Sequence, residues 1–286
     1  MLSSKHIKTF ALFYLSCALV SFAWFAWHGL TLFQQAPVFF LNKLDISGNV
    51  LLSTGMAKCL ISSGALRFTA DAIFFLLPFA LALSVFLQSR IVTFVALFTA
   101  IFNMAYAYVF SIFTFMSIEV FTAWMFVPFV FASSNTRTNY YLLHIVRIVF
   151  LLIFFSTALW KIRAGGVFNA EQLSAILLRQ HASLLLSDEP YWFSQFLAFL
   201  IGNKTLSYTI YLLAFLLEFV FVIGLFTRRY DRLLIVSFVL FLVFDYLLME
   251  INYFPWTPFL GCLIFSRCKE PGSEVRIEKQ FVVHSS

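Results

Sequence analysis

The sequence predicts an all-α fold, a multi-pass transmembrane helical bundle of about eight spans with one further interfacial or re-entrant helix. Of the 286 residues, 62% are hydrophobic and 11% are charged, whereas a soluble globular domain has roughly 45–50% apolar and about 25% charged residues. Apolar runs close to the ~20 residues that cross a bilayer recur along the whole chain. These observations exclude a soluble protein, a secreted disulfide scaffold, a coiled coil and a nucleic-acid binder.

The first apolar run resembles a signal peptide because Lys5 and Lys8 precede it. It has no small-x-small cleavage site and ends in Trp24 and Trp27, which suit a membrane interface, so we predict a retained first span. The eight predicted spans are residues 9–27, 71–89, 91–114, 117–133, 139–160, 205–226, 233–249 and 252–266. This arrangement predicts one transmembrane domain, residues 1–266, followed by a short cytoplasmic tail, residues 267–286.

Two stretches do not read as simple spans. Residues 34–70 are predicted to form a polar loop with a turn at Ser47-Gly48-Asn49. Residues 164–203 open on a Gly-Gly pair, continue through an amphipathic segment at 170–186 and end in a short apolar run at 191–201. That run is too short to cross a ~30 Å hydrocarbon core, which favours an interfacial or re-entrant helix.

The basic residues are scattered between the apolar runs and predict topology. With the N-terminus inside, eleven Lys and Arg residues fall in inner segments and seven in outer ones, so both termini are predicted to be cytoplasmic in the cell inner membrane. The predicted partners are therefore membrane lipids and not nucleic acid, despite the net charge of +6. The four cysteines show no CxxC spacing and predict neither a metal site nor a redox pair.

Ionisable residues inside apolar runs are costly and mark candidate sites. His144 and Arg147 lie three positions apart and share a helix face, and residue counting places Arg147 and Glu218 each ~10 Å inside the inner boundary. We therefore predict a buried ionic cluster of His144, Arg147 and Glu218. Such a cluster either fixes helix packing or takes part in function.

A second cluster is predicted near the outer surface. Lys161 and Arg163 end the fifth span where Asp245 and Glu250 approach the outer end of theirs. These four residues either form a site or extend their charged groups to the interface. The 40 phenylalanines suit a lipid-facing surface, with a site for a flat lipophilic ligand as the alternative.

The segments NYYLLH at 139–144 and ALWKI at 158–162, followed by a Gly-containing loop, resemble the membrane domain of vitamin K-dependent gamma-carboxylases and their bacterial relatives, the HTTM family. The resemblance implies that Lys161 stands at the position of the lysine associated with generating a strong base, and it allows a quinone-type cofactor; the residues themselves indicate no cofactor. The chain departs from the carboxylases at Asn103 and Asp245, where they have histidines, and it has no large extramembrane domain. Full vitamin K-dependent carboxylase activity is therefore not expected.

Two classes of function follow. In the first, the protein modifies or matures a peptide or lipophilic substrate at the outer face; Lys161 and Asp245 are the candidate catalytic residues, and Arg163 and Glu250 the candidate substrate-binding residues. In the second, it is a non-enzymatic accessory subunit or lipid-binding scaffold. A secreted peptide or a membrane protein is the corresponding partner. A small-molecule transporter is the least favoured interpretation, because paired broken helices are not recognisable.

Overall fold

The computed structural model describes residues 4–35, 46–87, 90–113, 120–132, 136–186 and 191–265, and the regular structure in these residues is all helical. Six helical segments are long and apolar enough to cross a membrane, which supports a multi-pass membrane protein. These segments are His6–Trp27, Gly64–Phe86, Val92–Phe113, Arg137–Arg163, Lys204–Phe226 and Asp231–Met249. The predicted tail at 267–286 lies outside the described residues.

The α-helices are numbered in chain order. They are α1 (Ser4–Trp27), α2 (Ile46–Ser53), α3 (Met56–Ser62), α4 (Gly64–Phe86), α5 (Val92–Phe113), α6 (Thr136–Arg163), α7 (Gln172–Gln180), α8 (Ala182–Leu185), α9 (Trp192–Gly202), α10 (Lys204–Phe219), α11 (Phe221–Phe226), α12 (Asp231–Met249) and α13 (Leu260–Phe265). The described residues also form 3₁₀ helices at Val120–Phe131, Gly166–Phe168 and Phe254–Phe259.

Two of the eight predicted spans are not confirmed. The fourth is a 3₁₀ helix of 12 residues with Pro128 inside it, and at ~2.0 Å per residue it covers about 24 Å, a few Å less than a typical hydrocarbon core. The eighth is the short segment Phe254–Phe265, whose first half is a 3₁₀ helix containing Pro258. Proline removes a backbone donor and disfavours a continuous α-helix, which is consistent with the 3₁₀ backbone in these two segments, although α4 continues as an α-helix through Pro78.

The predicted polar loop at 34–70 is partly helical. The predicted turn at Ser47-Gly48-Asn49 is wrong, because these residues lie within α2. Leu52, at the other end of this helix, packs against a hydrophobic core, and such packing overrides the local turn preference. The next helix that could cross the membrane, α4, begins at Gly64 with Ser63 as its N-cap.

The stretch 164–203 contains the helices expected there. α7 and α8 occupy the predicted amphipathic segment, and α9 is an apolar helix of 11 residues. Leu173, Leu177, Leu197 and Leu200 form a buried cluster with Tyr211 of α10. The interfacial or re-entrant placement of α9 stays a prediction.

The chain divides into two compact units. The first unit comprises residues 1–146 and 254–286, and the second unit residues 147–253. Phenylalanines build the core of both units. In the first, Phe110 and Phe25 meet edge to face, and in the second, Phe154 stacks on Phe221 with ring centroids 4.5 Å apart. Many phenylalanines are thus packed inside the units, while others are exposed as a lipid-facing surface requires.

Candidate functional site

In the second unit, α6 carries two cations that each form an ion pair. Arg147 and Lys161 are fourteen residues apart on this helix, about 21 Å at 1.5 Å per residue. Their partners come from different helices, α12 for Arg147 and α10 for Lys161. Two separate ion pairs therefore lie along α6. They differ in how many oxygens of the carboxylate accept a hydrogen bond.

The pair of Arg147 and Asp231 is fully buried. The Arg147 guanidinium donates through Nε to Asp231 Oδ2 at 3.2 Å and through Nη2 to Oδ1. Nη2 also lies 3.5 Å from the carbonyl oxygen of Thr227, in the turn before α12. This two-point geometry fixes the start of α12 against α6 and uses both carboxylate oxygens.

The pair of Lys161 and Glu218 is different. Lys161 Nζ donates to Glu218 Oε1 at 2.8 Å, and the side chains are 29% and 4% exposed respectively. The second carboxylate oxygen of Glu218 is buried and has no hydrogen-bond partner among the described residues. The Thr157 hydroxyl lies close to this carboxylate but donates to the carbonyl of Phe154 at 2.7 Å. A buried carboxylate oxygen without a donor is uncommon in folded proteins and leaves one acceptor available for another group.

A second carboxyl group lies beside this pair. Asp245 of α12 is half-buried and within electrostatic range of both Lys161 and Glu218. The end of its helix is held by α7, because Gln180 donates to the carbonyl of Met249 and His181 Nε2 lies 2.8 Å from the carbonyl oxygen of Leu248. Lys161 is therefore bonded to one carboxyl group, that of Glu218, and lies within electrostatic range of a second, that of Asp245.

The turn after α6 closes one side of this group. Gly165 has a φ of 75°, and a Cβ atom at Gly166 would lie 2.6 Å from the hydroxyl oxygen of Tyr211. The Tyr211 ring lies 5.9 Å from Lys161 Nζ, within range of a cation–π interaction. The Tyr208 hydroxyl donates to the carbonyl of Val167 at 2.7 Å and ties the same turn to α10.

The other predicted site residues lie in different surroundings. Arg163 is exposed and lies over the ring of Trp160, 5.0 Å from its centroid. Glu250 is exposed and ends α12 with a φ of 53°, a left-handed conformation that is uncommon for glutamate. His144 belongs to the first unit and meets the ring of Tyr140 edge-on at 4.4 Å. Neither Arg163 nor Glu250 is in an ion pair with another of the described residues.

Within the predicted cluster, the structure does not pair Arg147 with Glu218: Arg147 binds Asp231, and Glu218 binds Lys161. Residue counting assumed that every helix begins at the membrane boundary. α6 has 28 residues, about 42 Å, and exceeds the ~30 Å core. The first turns of α10 pack with α7 and α9, as Leu206 and Ile210 join their core, and Glu218, further along α10, binds Lys161.

Two buried acidic residues were missed by the sequence interpretation. Asp231 is the single acidic residue among the arginines of the turn before α12. This position could have identified it from the sequence as a candidate partner for a buried cation. In the first unit, Asp71 of α4 is buried and accepts hydrogen bonds from the amides of Leu32 and Phe33 and from the Tyr106 hydroxyl, the last at 2.7 Å. Three donors satisfy this carboxylate, which indicates a structural role for Asp71.

The described residues contain no group of three or more His, Cys, Asp and Glu side chains placed to hold a metal ion. The Lys161, Glu218 and Asp245 group can carry out acid–base chemistry, because it combines one donor cation with two carboxyl groups at a partly accessible position. The Arg147 pair lacks a free acceptor of this kind.

No family model, curated protein or solved structure matches this chain. The resemblance to the HTTM family is neither supported nor contradicted, and it stays a prediction.

Proposed function

We propose that this multi-pass membrane protein is of the HTTM type and modifies a peptide or lipophilic substrate by proton transfer at Lys161, Glu218 and Asp245. The observation that carries the proposal is the buried Oε2 of Glu218, which has no partner among the described residues although Lys161 occupies Oε1. Buried ionisable groups at membrane depth are retained chiefly where they take part in function.

The roles follow from the charges. The Lys161 ammonium neutralises Glu218, and Asp245 is the carboxylate that accepts a proton from the substrate. Only the bond between that proton and the substrate breaks, and the electron pair that stays on the substrate is stabilised by the positive charge of Lys161. Arg163, exposed at the end of the same helix, is placed to attract a substrate carboxylate.

The quinone-type cofactor that the resemblance allows does not enter this mechanism. The aromatic ring beside Lys161, that of Tyr211, already contacts the turn at Gly166, where a single added carbon would lie 2.6 Å from the Tyr211 hydroxyl.

Substitution of the lysine tests the proposal. Lys161→Ala is expected to abolish complementation of a deletion strain. The double variant Lys161→Ala, Glu218→Gln removes the carboxylate that would be left buried without its cation, so it should restore the amount of folded protein while complementation stays lost. Lys204→Ala is the matched control, since Lys204 is the cation of another ion pair in the second unit and is exposed. Full complementation by Lys161→Ala at normal protein level would overturn the proposal and favour the alternative, an accessory subunit or lipid-binding scaffold.

The side of the membrane to which this site opens depends on Val120–Phe131. Each crossing reverses the side on which the chain continues, so α6 ends opposite the N-terminus only if this short helix crosses. A cytoplasmic N-terminus and a site at the outer face require that crossing. Gly202→Cys, in a variant without the native cysteines, is therefore expected to react with an impermeant maleimide in intact cells. Reaction only after permeabilisation would place the site on the cytoplasmic side.

A further inference from the structure

A turn rich in arginine joins two segments of the second unit that are long and apolar enough to cross a membrane. Residues 227–232, which we call the arginine turn, lie where Lys204–Phe226 ends and Asp231–Met249 begins. A connection this short keeps the turn at the membrane surface, at the level of the lipid headgroups, on whichever side of the membrane it lies.

The backbone of the arginine turn is fixed from inside the unit. Arg147 binds both carboxylate oxygens of Asp231, and its Nη2 lies 3.5 Å from the carbonyl oxygen of Thr227. The amide of Arg229 donates to the Thr227 hydroxyl at 3.2 Å, and the amide of Asp231 donates to the carbonyl of Arg228 at 3.3 Å. The positions from which the arginine side chains of the turn extend are therefore fixed as well.

The surface of the arginine turn is basic. Arg228, Arg229 and Arg232 are exposed. Asp231, the one acidic residue of the turn, is fully buried and bound to Arg147. The charged groups that the turn itself presents at the membrane surface are therefore all cationic. Arginine suits this position, because its planar guanidinium donates two parallel hydrogen bonds to a phosphate and is weakly hydrated.

Apolar side chains flank the arginines. Phe226, the last residue of α11, is 85% exposed, and Leu233, in the first turn of α12, is 47% exposed. Between them in the chain, the exposed ring of Tyr230 lies 6.0 Å from the guanidinium carbon of Arg229. Cations at headgroup level with apolar side chains on both sides match a molecule that has an anionic head and an apolar tail. An acidic protein segment would match the cations alone.

We propose that the arginine turn binds an anionic phospholipid. The lipid phosphate accepts hydrogen bonds from the three arginines, and the acyl chains pack against Phe226 and Leu233. The net charge of the headgroup decides which lipid is preferred, because the choline of a zwitterionic phospholipid adds a cation that the arginines repel. Each arginine at the surface favours an anionic lipid by about fivefold in binding.

The test is native mass spectrometry of the purified full chain in detergent, titrated with phosphatidylglycerol or with phosphatidylcholine of the same acyl chains. Phosphatidylglycerol is expected to bind roughly tenfold more tightly or better, and the preference should shrink as the salt concentration rises. Equal dissociation constants for the two lipids would overturn the proposal and favour an acidic protein segment as the ligand. Displacement of phosphatidylglycerol by an equal concentration of glycerol phosphate would also overturn it, since the acyl chains would then contribute nothing.

Variants of the exposed arginines locate the site. The double variant Arg228→Gln, Arg229→Gln is expected to weaken phosphatidylglycerol binding about twentyfold and to leave phosphatidylcholine binding unchanged. The double variant Arg179→Gln, Lys204→Gln is the matched control, because it removes the same charge from exposed positions elsewhere in the second unit. It should change the preference by no more than about twofold, since distant surface charges are screened.

The double variant Arg228→Lys, Arg229→Lys keeps the charge of the turn and should keep most of the preference. Loss of the preference in this lysine variant would show that charge does not cause the binding. Unchanged binding in the glutamine variant, or an equal loss in the matched control, would overturn the proposal. The measurement requires no activity at Lys161, so this proposal and the proposed function fail independently.

Discussion

The two ion pairs on α6 show how similar charges can have different purposes. Arg147 and Asp231 are both buried, and the guanidinium occupies both oxygens of the carboxylate. Lys161 is partly exposed, occupies one oxygen of Glu218 and leaves the other without a partner among the described residues. A saturated pair holds helices together, whereas a pair with unused capacity beside Asp245 can interact with a substrate.

The largest effect is expected at the saturated pair. Arg147→Ala leaves the Asp231 carboxylate buried without its cation, and loss of one partner of such a pair costs about 3–5 kcal/mol of unfolding free energy. Thermal unfolding in detergent and the yield of folded protein measure this loss. The charge swap Arg147→Asp with Asp231→Arg should recover part of it. Equal losses for Arg147→Ala and Lys161→Ala would remove the distinction between the pairs.

The next effect concerns the turn that closes the group around Lys161. Gly166→Ala would place a carbon 2.6 Å from the Tyr211 hydroxyl, and overpacking of this kind costs about 1–3 kcal/mol. Tyr211→Phe removes the clashing oxygen, so the double variant should regain most of the melting temperature lost by Gly166→Ala. If the losses of melting temperature caused by Gly166→Ala and Tyr211→Phe are additive in the double variant, the turn is not in steric contact with the Tyr211 hydroxyl.

A smaller effect on stability is expected at Glu218, together with a loss of function. Glu218→Gln keeps the shape of the side chain and removes a buried charge, and the partly exposed Lys161 can turn towards Asp245 or solvent, so the unfolding free energy should fall by about 1 kcal/mol, the value of one hydrogen bond. Complementation should be lost because the amide cannot balance the ammonium charge. Glu171→Gln is the matched control in an exposed pair. Retained complementation by Glu218→Gln would count against an acid–base role.

The sequence predicted the long helices well because an apolar run of about twenty residues has few alternatives in a membrane protein. The predicted spans at 117–133 and 252–266 are not confirmed, since the described residues there form short segments that contain 3₁₀ helices with proline. Hydropathy alone does not distinguish these runs from spans, since it contains no information on backbone donors.

The composition of the candidate site was partly predictable. Lys161 and Asp245 were expected at one level, and the structure places them within electrostatic range; their catalytic role stays a prediction. The partner of each cation was not predictable, because a shift of a few residues in where a helix meets the membrane moves a side chain by several Å. Arg147 therefore meets Asp231, and Glu218 meets Lys161.

The smallest effect is expected at the exposed pair of Lys204 and Glu171. Both side chains are mostly exposed, and the hydrogen bond from Lys204 holds the pKa of Glu171 below its usual value. Because the folded pKa is lowered, the contribution of this pair is present above the usual glutamate pKa of about 4.3 and is lost as the pH falls through the lowered value. Solvent and salt screen it, so Lys204→Gln should melt close to the parent near neutral pH, and any difference should vanish in high salt or in acid. A loss comparable to that of Arg147→Ala would show that exposure does not separate structural from dispensable ion pairs in this protein.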